Sequence, residues 1–216
     1  MPESWEIDSL ANCCHKPEYG VTASANDQVI GPQFLRITDI TESGVNWKNV
    51  PYCACTDEEY QKKRLEHDDV VFARIGATTG KSFIVKNPPN SVFASYLIRV
   101  RPKGDLNPDY LYYYFNTESY WQHINANKDN NMKGGVNGSV LSQLLIPIPS
   151  NVGQRAIAAT LIAIDRKLAY HQKKRAALND LFQTLLHQLM TAELRVNRLD
   201  IDTREIVQPA TQGETA

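Results

Sequence analysis

The chain has 216 residues, 42% of them apolar and 22% charged, with a formal net charge of −1; this is ordinary globular composition, with room for one sizeable core and an appended element. No apolar run approaches the ~20 residues that a membrane span needs, and Met1-Pro2-Glu3-Ser4-Trp5-Glu6 has neither the basic flank nor the apolar stretch of a signal peptide, so a cytoplasmic protein is expected. Bulk charge does not announce nucleic-acid binding: residues 1–150 hold 14 Lys and Arg against 17 Asp and Glu, and residues 151–216 hold 9 against 7, so a DNA binder would need a local patch or a basic partner.

Residues 1–30 are irregular, with a helix-like stretch near Glu6–Cys14. Phe34–Ile40 alternates apolar and polar residues and predicts a strand. Asp57–Arg64 is charged and predicts a short surface helix. Asp69–Ile75 predicts a second strand, rich in β-branched and aromatic residues; Ser82–Val85 and Phe93–Arg101 predict two more. Between them, Gly76-Ala77-Thr78-Thr79-Gly80-Lys81 is a glycine-bounded loop and Asn87-Pro88-Pro89-Asn90 a breaker cluster. Asn107-Pro108-Asp109 carries a helix start: an N-cap Asn, Pro at the first helical position and an acid in the first turn. Ser119–Asn127 continues as helix, residues 130–138 form a Gly/Asn-rich loop, and Leu144–Pro149 predicts a last strand. Residues 1–150 therefore predict an α+β domain, a mixed sheet with peripheral helices.

One long helix follows. Asn151 and Gln154 have the spacing of a capping box, and no proline interrupts the chain from there to Val196. Apolar residues recur at steps of four and three: Ile157, Leu161, Ile164, Leu168, then Leu178, Phe182, Leu185, Leu189, Ala192 and Val196. Such a heptad seam needs a second helix to cover it. His171 and Arg175 interrupt it at its middle; polar residues there fix register and orientation. The domains expected are 1–150, a dimerising helix over 151–196, and a polar tail, 197–216.

Several motifs stop short of chemistry. The Gly76–Ser82 loop lacks one residue of the phosphate-loop spacing and leads into a strand, so nucleotide hydrolysis is not expected. It is either a hairpin turn or a turn whose amides, with Thr78, Thr79 and Lys81, meet a DNA backbone. Asn90 has no ring to stack on a base, which removes an amino-methyltransferase reading of the Asn87-Pro88-Pro89 stretch. The aromatic cluster Tyr110–Phe115, Tyr120 and Trp121 suits core packing more than base stacking. The loop from Lys128 through Lys133 to Asn137 is either a connector or a groove reader, since Lys and Asn pair with phosphates and base edges. Arg36 and Arg74 sit on predicted strands and serve either DNA contact or ion pairs. Cys13, Cys14, Cys53 and Cys55, with His15 and His67, lack the paired spacing of structural zinc, so free thiols and no metal or cofactor are expected. No nucleophile–base pair or nuclease-like carboxylate cluster argues for an enzyme.

Taken in order, Pro2-x-x-Trp5-Glu6, Phe34–Ile40, Asp69–Lys81, Leu144–Pro149 and Gln154-Arg155-Ala156-Ile157-Ala158-Ala159-x-Leu161-x-x-Ile164-Asp165 resemble the specificity subunit of Type I restriction-modification systems, across almost the whole chain. The resemblance implies recognition of a two-part site on double-stranded DNA. It also implies antiparallel helix pairing and assembly with methyltransferase subunits and a translocase-nuclease subunit. DNA contacts are then expected at Arg36, Arg74, Thr78, Thr79, Lys81, Lys128, Lys133 and Asn137. Pairing with a second copy, or with a different half-subunit, is expected through Ile157, Leu161, Ile164, Leu168, His171, Arg175, Leu178, Phe182, Leu185 and Leu189. A stand-alone DNA-binding regulator, or a remnant that binds methyltransferase subunits without reading DNA, remains the alternative.

Overall fold

A computed structural model describes residues 5–41, 44–128 and 135–195. The chain divides into two compact units, Met1–Asp165 and Arg166–Ala216. The first is the expected α+β domain together with the opening turns of the long helix.

Its centre is a four-stranded antiparallel sheet in the order β2 (Glu18–Tyr19), β9 (Leu97–Val100), β6 (Val70–Ala73), β7 (Ser82–Ile84). Val70 lies opposite both Ile84 and Val100. β6 reads as a continuous apolar run because both faces are covered, and β9 is buried throughout although it carries Arg99. Val70 and Phe72 enter one cluster with Leu111, Phe115 and Tyr120, while Val71 enters the other with Leu35, Phe93 and Leu97. That period-2 division is the strand's own geometry.

Two further pairs frame this sheet. β1 (Glu6–Ser9) runs antiparallel to β10 (Leu145–Ile148), with Glu6 opposite Ile148 and Ser9 opposite Leu145. The helix expected over Glu6–Cys14 is therefore a strand followed by a single turn, α1 (Leu10–Cys13). Asp8 helps divert it, since its carboxylate accepts from Ser9 N–H and from Asn12 Nδ2. β3 (Gln33–Leu35) pairs in parallel with β8 (Ser91–Phe93).

The strand expected over Phe34–Ile40 is also cut short. Asp39 accepts from the backbone N–H of Arg36 at 2.8 Å and from its guanidinium at 2.7 and 3.0 Å, bending Ile37–Asp39 into a 3-10 turn. The hairpin β4 (Ile40–Thr41) and β5 (Gly44–Val45) follows. Ile37 and Ile40 still pack on the core from the turn. The strand expected over Phe93–Arg101 is interrupted by a turn closed by Leu97 N–H to Ala94 C=O, 2.8 Å.

Helices α2 (Asp57–Lys63), with its Thr56/Glu59 capping box, and α3 (Pro108–Tyr114), capped by Asn107, start where their sequences signal. α4 (Glu118–Lys128) follows. α5 (Gly138–Ser142), one short turn, starts at the last residue of the expected loop. The aromatic cluster is core, as its composition suggested. Phe72 meets Phe115 edge-on at 4.7 Å, and the hydroxyls of Tyr110 and Tyr114 donate to the carbonyls of Pro147 and Leu145 on β10.

A polar hub holds the β6–β9 edge. Asp69 is fully buried and accepts from Arg101 Nε at 2.6 Å, from Arg101 Nη2 at 3.0 Å and from Glu66 N–H at 2.8 Å. Arg99 beside it donates to the carbonyls of Arg64 and Lys62 and to the Glu18 carboxylate. A buried carboxylate is tolerated only with such complete pairing.

The long helix α6 runs Asn151–Met190. Its start differs from the expected capping box. Ser150 Oγ accepts from Gly153 N–H, whereas the buried Gln154 side chain donates to Pro149 C=O at 3.0 Å and accepts from Asn107 N–H at 2.7 Å. Gln154 thus fastens α6 to the end of β10 and the entry to α3. In the second unit the helix ends earlier than the Val196 expected. Ala192 adopts a left-handed conformation (φ 58°) and Leu194 N–H bonds to Gln188 C=O. Val196 and residues 197–216 lie outside the described residues.

Candidate nucleic-acid interface

The glycine-bounded loop joins β6 to β7 as a clamped turn. Ala73 N–H donates to Lys81 C=O and Gly80 N–H to Ala73 C=O, while Lys81 N–H donates to Thr78 C=O. Gly76 and Gly80 both take positive φ, 86° and 89°. Gly80 is doubly constrained, since a Cβ there would lie 2.8 Å from Ile124 of α4, and its carbonyl accepts the Tyr120 hydroxyl at 2.6 Å. The turn is therefore rigid and held from below by α4.

Within this turn the candidate residues separate. Thr79 is buried, and its hydroxyl donates to Gly76 C=O at 2.7 Å. It closes the turn and cannot also reach a phosphate, which corrects the sequence expectation. Thr78 is half-buried and Lys81 exposed. Lys81 has no ion pair among the described residues. The N–H groups of Gly76, Ala77 and Thr78 have no acceptor among the described residues either. Successive free N–H groups beside a left-handed glycine form a concavity suited to an anion, and an ammonium adds charge to it.

The second loop comes back to the same place. Val136 N–H donates to Arg74 C=O at 2.9 Å, and a Cβ on Gly135 would lie 3.1 Å from that same oxygen. Tyr19 strengthens the joint: its hydroxyl accepts from Gly138 N–H at 3.0 Å, and its ring lies 4.9 Å beneath the Arg74 guanidinium. Arg74 N–H in turn donates to the carbonyl of Tyr96, an exposed aromatic in the turn between β8 and β9.

Three other candidates land elsewhere. Arg36 is engaged by Asp39, whose hydrogen bonds raise the Arg36 pKa and hold the guanidinium in the 3-10 turn; this is the ion-pair alternative, not a free DNA contact. Asn137 caps α5, its Oδ1 accepting from Val140 N–H at 2.9 Å, so that oxygen is not available to a base. Lys128 closes α4 with its side chain outside the described residues, and Lys133 lies wholly outside them.

Sequence reasoning missed the concavities flanking the turn. One, of about 290 Å³, is lined by Ile37, Thr78, Lys81, Ser82 and Tyr112. The other, of about 430 Å³, is lined by Arg36, Thr38, Ser95 and Tyr96. Their residues come from segments up to 75 positions apart, so no local spacing could announce them. The four cysteines are free; burial pushes the Cys14 thiol up to about 12 and the Cys53 thiol up to about 11. Among the described residues no group of His, Cys, Asp and Glu could hold a metal ion, and no helix is long and apolar enough to cross a membrane.

Residues 11–180 match the family described as the Type I restriction modification DNA specificity domain, and the chain belongs to that family. Among curated proteins it is similar to the type I restriction enzyme MjaX specificity subunit of Methanocaldococcus jannaschii, 27% identical over 199 residues, covering 88% of this chain and 46% of that one. It is also similar to the type I restriction enzyme EcoKI specificity subunit of Escherichia coli, 23% identical over 201 residues, covering 90% of this chain and 40% of that one. Among solved structures, the HsdS subunit from Thermoanaerobacter tengcongensis shares the fold with a TM-score of 0.61 at 20% identity, over 87% of this chain and 45% of that one. The Type I S subunit from M. genitalium does so with a TM-score of 0.59 at 13% identity, over 85% and 45%. The chain spans a little under half the length of the curated relatives it matches.

Proposed function

We propose that this chain is a sequence-reading, non-catalytic DNA-recognition subunit of a Type I restriction-modification enzyme. Its domain reads one part of a two-part site, and its long helix pairs with a second helix. The observation that carries this reading is the Val136–Arg74 hydrogen bond. It ties Val136 to Arg74, two residues before the Gly76–Lys81 turn, and this supports a shared role for the turn and the Val136–Asn137 segment. The free amides of Gly76–Thr78, the Thr78 hydroxyl and the Lys81 ammonium contact phosphate and fix the register. Arg74, Lys128 and Lys133 supply the remaining candidate contacts to phosphates and base edges.

The helix partner is a second copy in antiparallel orientation. The seam is self-complementary about its centre: Ile157 falls opposite Leu189, Leu161 opposite Leu185, Ile164 opposite Phe182, Leu168 opposite Leu178 and His171 opposite Arg175. Parallel pairing would instead press Arg175 against its own copy in the seam. A twofold dimer imposes its symmetry on the DNA and reads an interrupted palindrome. Methyltransferase subunits and a translocase-nuclease subunit assemble on this scaffold and carry the chemistry. The near-neutral charge of the chain fits a binder whose affinity is completed by those partners.

The test is single-molecule mapping of methylated adenines in the host, with and without the gene. A palindromic two-part motif that disappears on deletion is the expected result. An asymmetric motif replaces the second copy with a different partner, and an unchanged methylome removes the modification role.

A further inference from the structure

One apolar groove of the first unit includes no residue of the 76–81 turn in its lining. It has a volume of about 470 Å³, and its lining includes Trp5, Ile7, Tyr113, Leu145, Ile157 and Leu161. Ile7 and Leu145, from the paired strands β1 and β10, are 56% and 60% exposed, so two large apolar side chains stand in solvent at its rim. One wall carries a polar strut, the Tyr113 hydroxyl donating to Asp165 at 2.7 Å. An apolar concavity with exposed apolar rims and few polar groups marks a protein-binding surface.

Two lining residues identify the occupant. Ile157 and Leu161 belong to the groove and to the heptad seam alike. In the self-complementary register their partners are Leu189 and Leu185, so the last turn of a second copy's α6 meets this edge of the domain. Two of the residues that follow are large and apolar, Met190 and Leu194. Met190 is 79% exposed, and the left-handed Ala192 turns the chain between it and Leu194. An unbranched methionine adapts to an irregular apolar gap, and a turn that ends a helix directs the next side chains sideways rather than onward.

We propose that each recognition domain clamps the helix end of a second copy, with Met190 and Leu194 of that copy filling the Trp5–Leu145 groove. This rests on the antiparallel pairing proposed above and adds to it a contact between domain and helix. The clamp makes domain orientation depend on dimerisation: the two DNA-contacting turns are held at a set separation only when both grooves are filled.

The full chain is tested with a benzophenone amino acid in place of Met190, in an equal mixture of isotope-labelled and unlabelled copies, with its sedimentation measured in parallel. The expected result is a dimer whose mixed-isotope cross-links fall on Trp5–Ile7 or on Leu145. A second variant, Leu145→Glu, changes a side chain already in solvent and leaves the fold intact; it is expected to raise the dimer dissociation constant about tenfold. A dimer with cross-links confined to α6 and no response to Leu145→Glu overturns the clamp while antiparallel pairing stands. A monomer overturns both.

Discussion

Ala158 and Phe182 lie on one helix, α6, yet they occupy opposite environments. Ala158 is 3% exposed, packed among the aromatic residues of the domain core, and Gln154 one turn earlier is equally buried. Phe182 is 60% exposed, and Leu168 and Leu178 are 54% exposed. The heptad pattern does not distinguish the two stretches. It states that an apolar stripe must be covered, and leaves the covering element to the rest of the molecule. The opening turns of α6 pack on their own domain, whereas Leu168, Leu178 and Phe182 in the later turns are exposed.

The sharpest way to break this comparison is one substitution on each side. Ala158→Asp places an unpaired carboxylate in the core and is expected to lower the domain's unfolding free energy by about 3 kcal/mol or more, measured by urea denaturation. Phe182→Asp leaves that free energy unchanged but weakens self-association by roughly a hundredfold, measured by sedimentation equilibrium. If both variants lose stability equally, the later turns are covered within the chain and the contrast fails. Gln154→Ala sharpens the boundary. It leaves Asn107 N–H and Pro149 C=O without their partner, and about 1–3 kcal/mol of domain stability is expected to go with no change in dimer affinity.

Smaller effects divide the glycine-bounded turn in the same manner. Lys81→Ala is expected to weaken DNA binding severalfold and to lower the slope of log K against log salt by about one unit, with stability unchanged. Thr79→Val removes the bond to Gly76 C=O and is expected to lower stability by about 1 kcal/mol while leaving that slope alone. A drop in salt slope for Thr79→Val would restore the threonine to the DNA contact set.

The smallest effect is a pH dependence. Burial pushes the Tyr110 phenol from 10.0 up to about 12, where it remains a neutral donor to Pro147 C=O. Because the folded value is raised, its stabilisation is complete below the ordinary value and is lost as pH rises from about 10 towards 12. Thermal unfolding across that window should show a decline that is shallower in Tyr110→Phe.

What was legible in the sequence was local. Asn107-Pro108-Asp109 started a helix because the cap, the missing N–H and the first-turn acid act within four residues. Val70–Ala73 and Leu145–Ile148 were legible as apolar runs, and α6 as a repeat. What failed was competition between a local pattern and a partner. Asp39 bent the apparent strand after Arg36, β10 recruited Glu6–Ser9 out of helix, and Asn137 turned a presumed base-contacting amide into a cap. The Asp69 hub was invisible because its arginine partner lies 32 residues away. Of the DNA candidates, Lys81 is exposed and without an ion pair among the described residues, while the Arg36 and Thr79 side chains are engaged within turns.

The pairing of β1 with β10 has a consequence for how such a protein changes its target. The chain enters the domain at Glu6–Ser9 and leaves it at Leu145–Ile148, and those two segments are hydrogen-bonded neighbours. Entry and exit therefore form a single socket, and everything between them is a cassette whose ends are already in register. The opening turns of the long helix are nevertheless bound to residues inside that cassette, Gln154 to Asn107 N–H and Asp165 to the Tyr113 hydroxyl, so a segment exchanged for residues 10–144 has to bring equivalent partners with it.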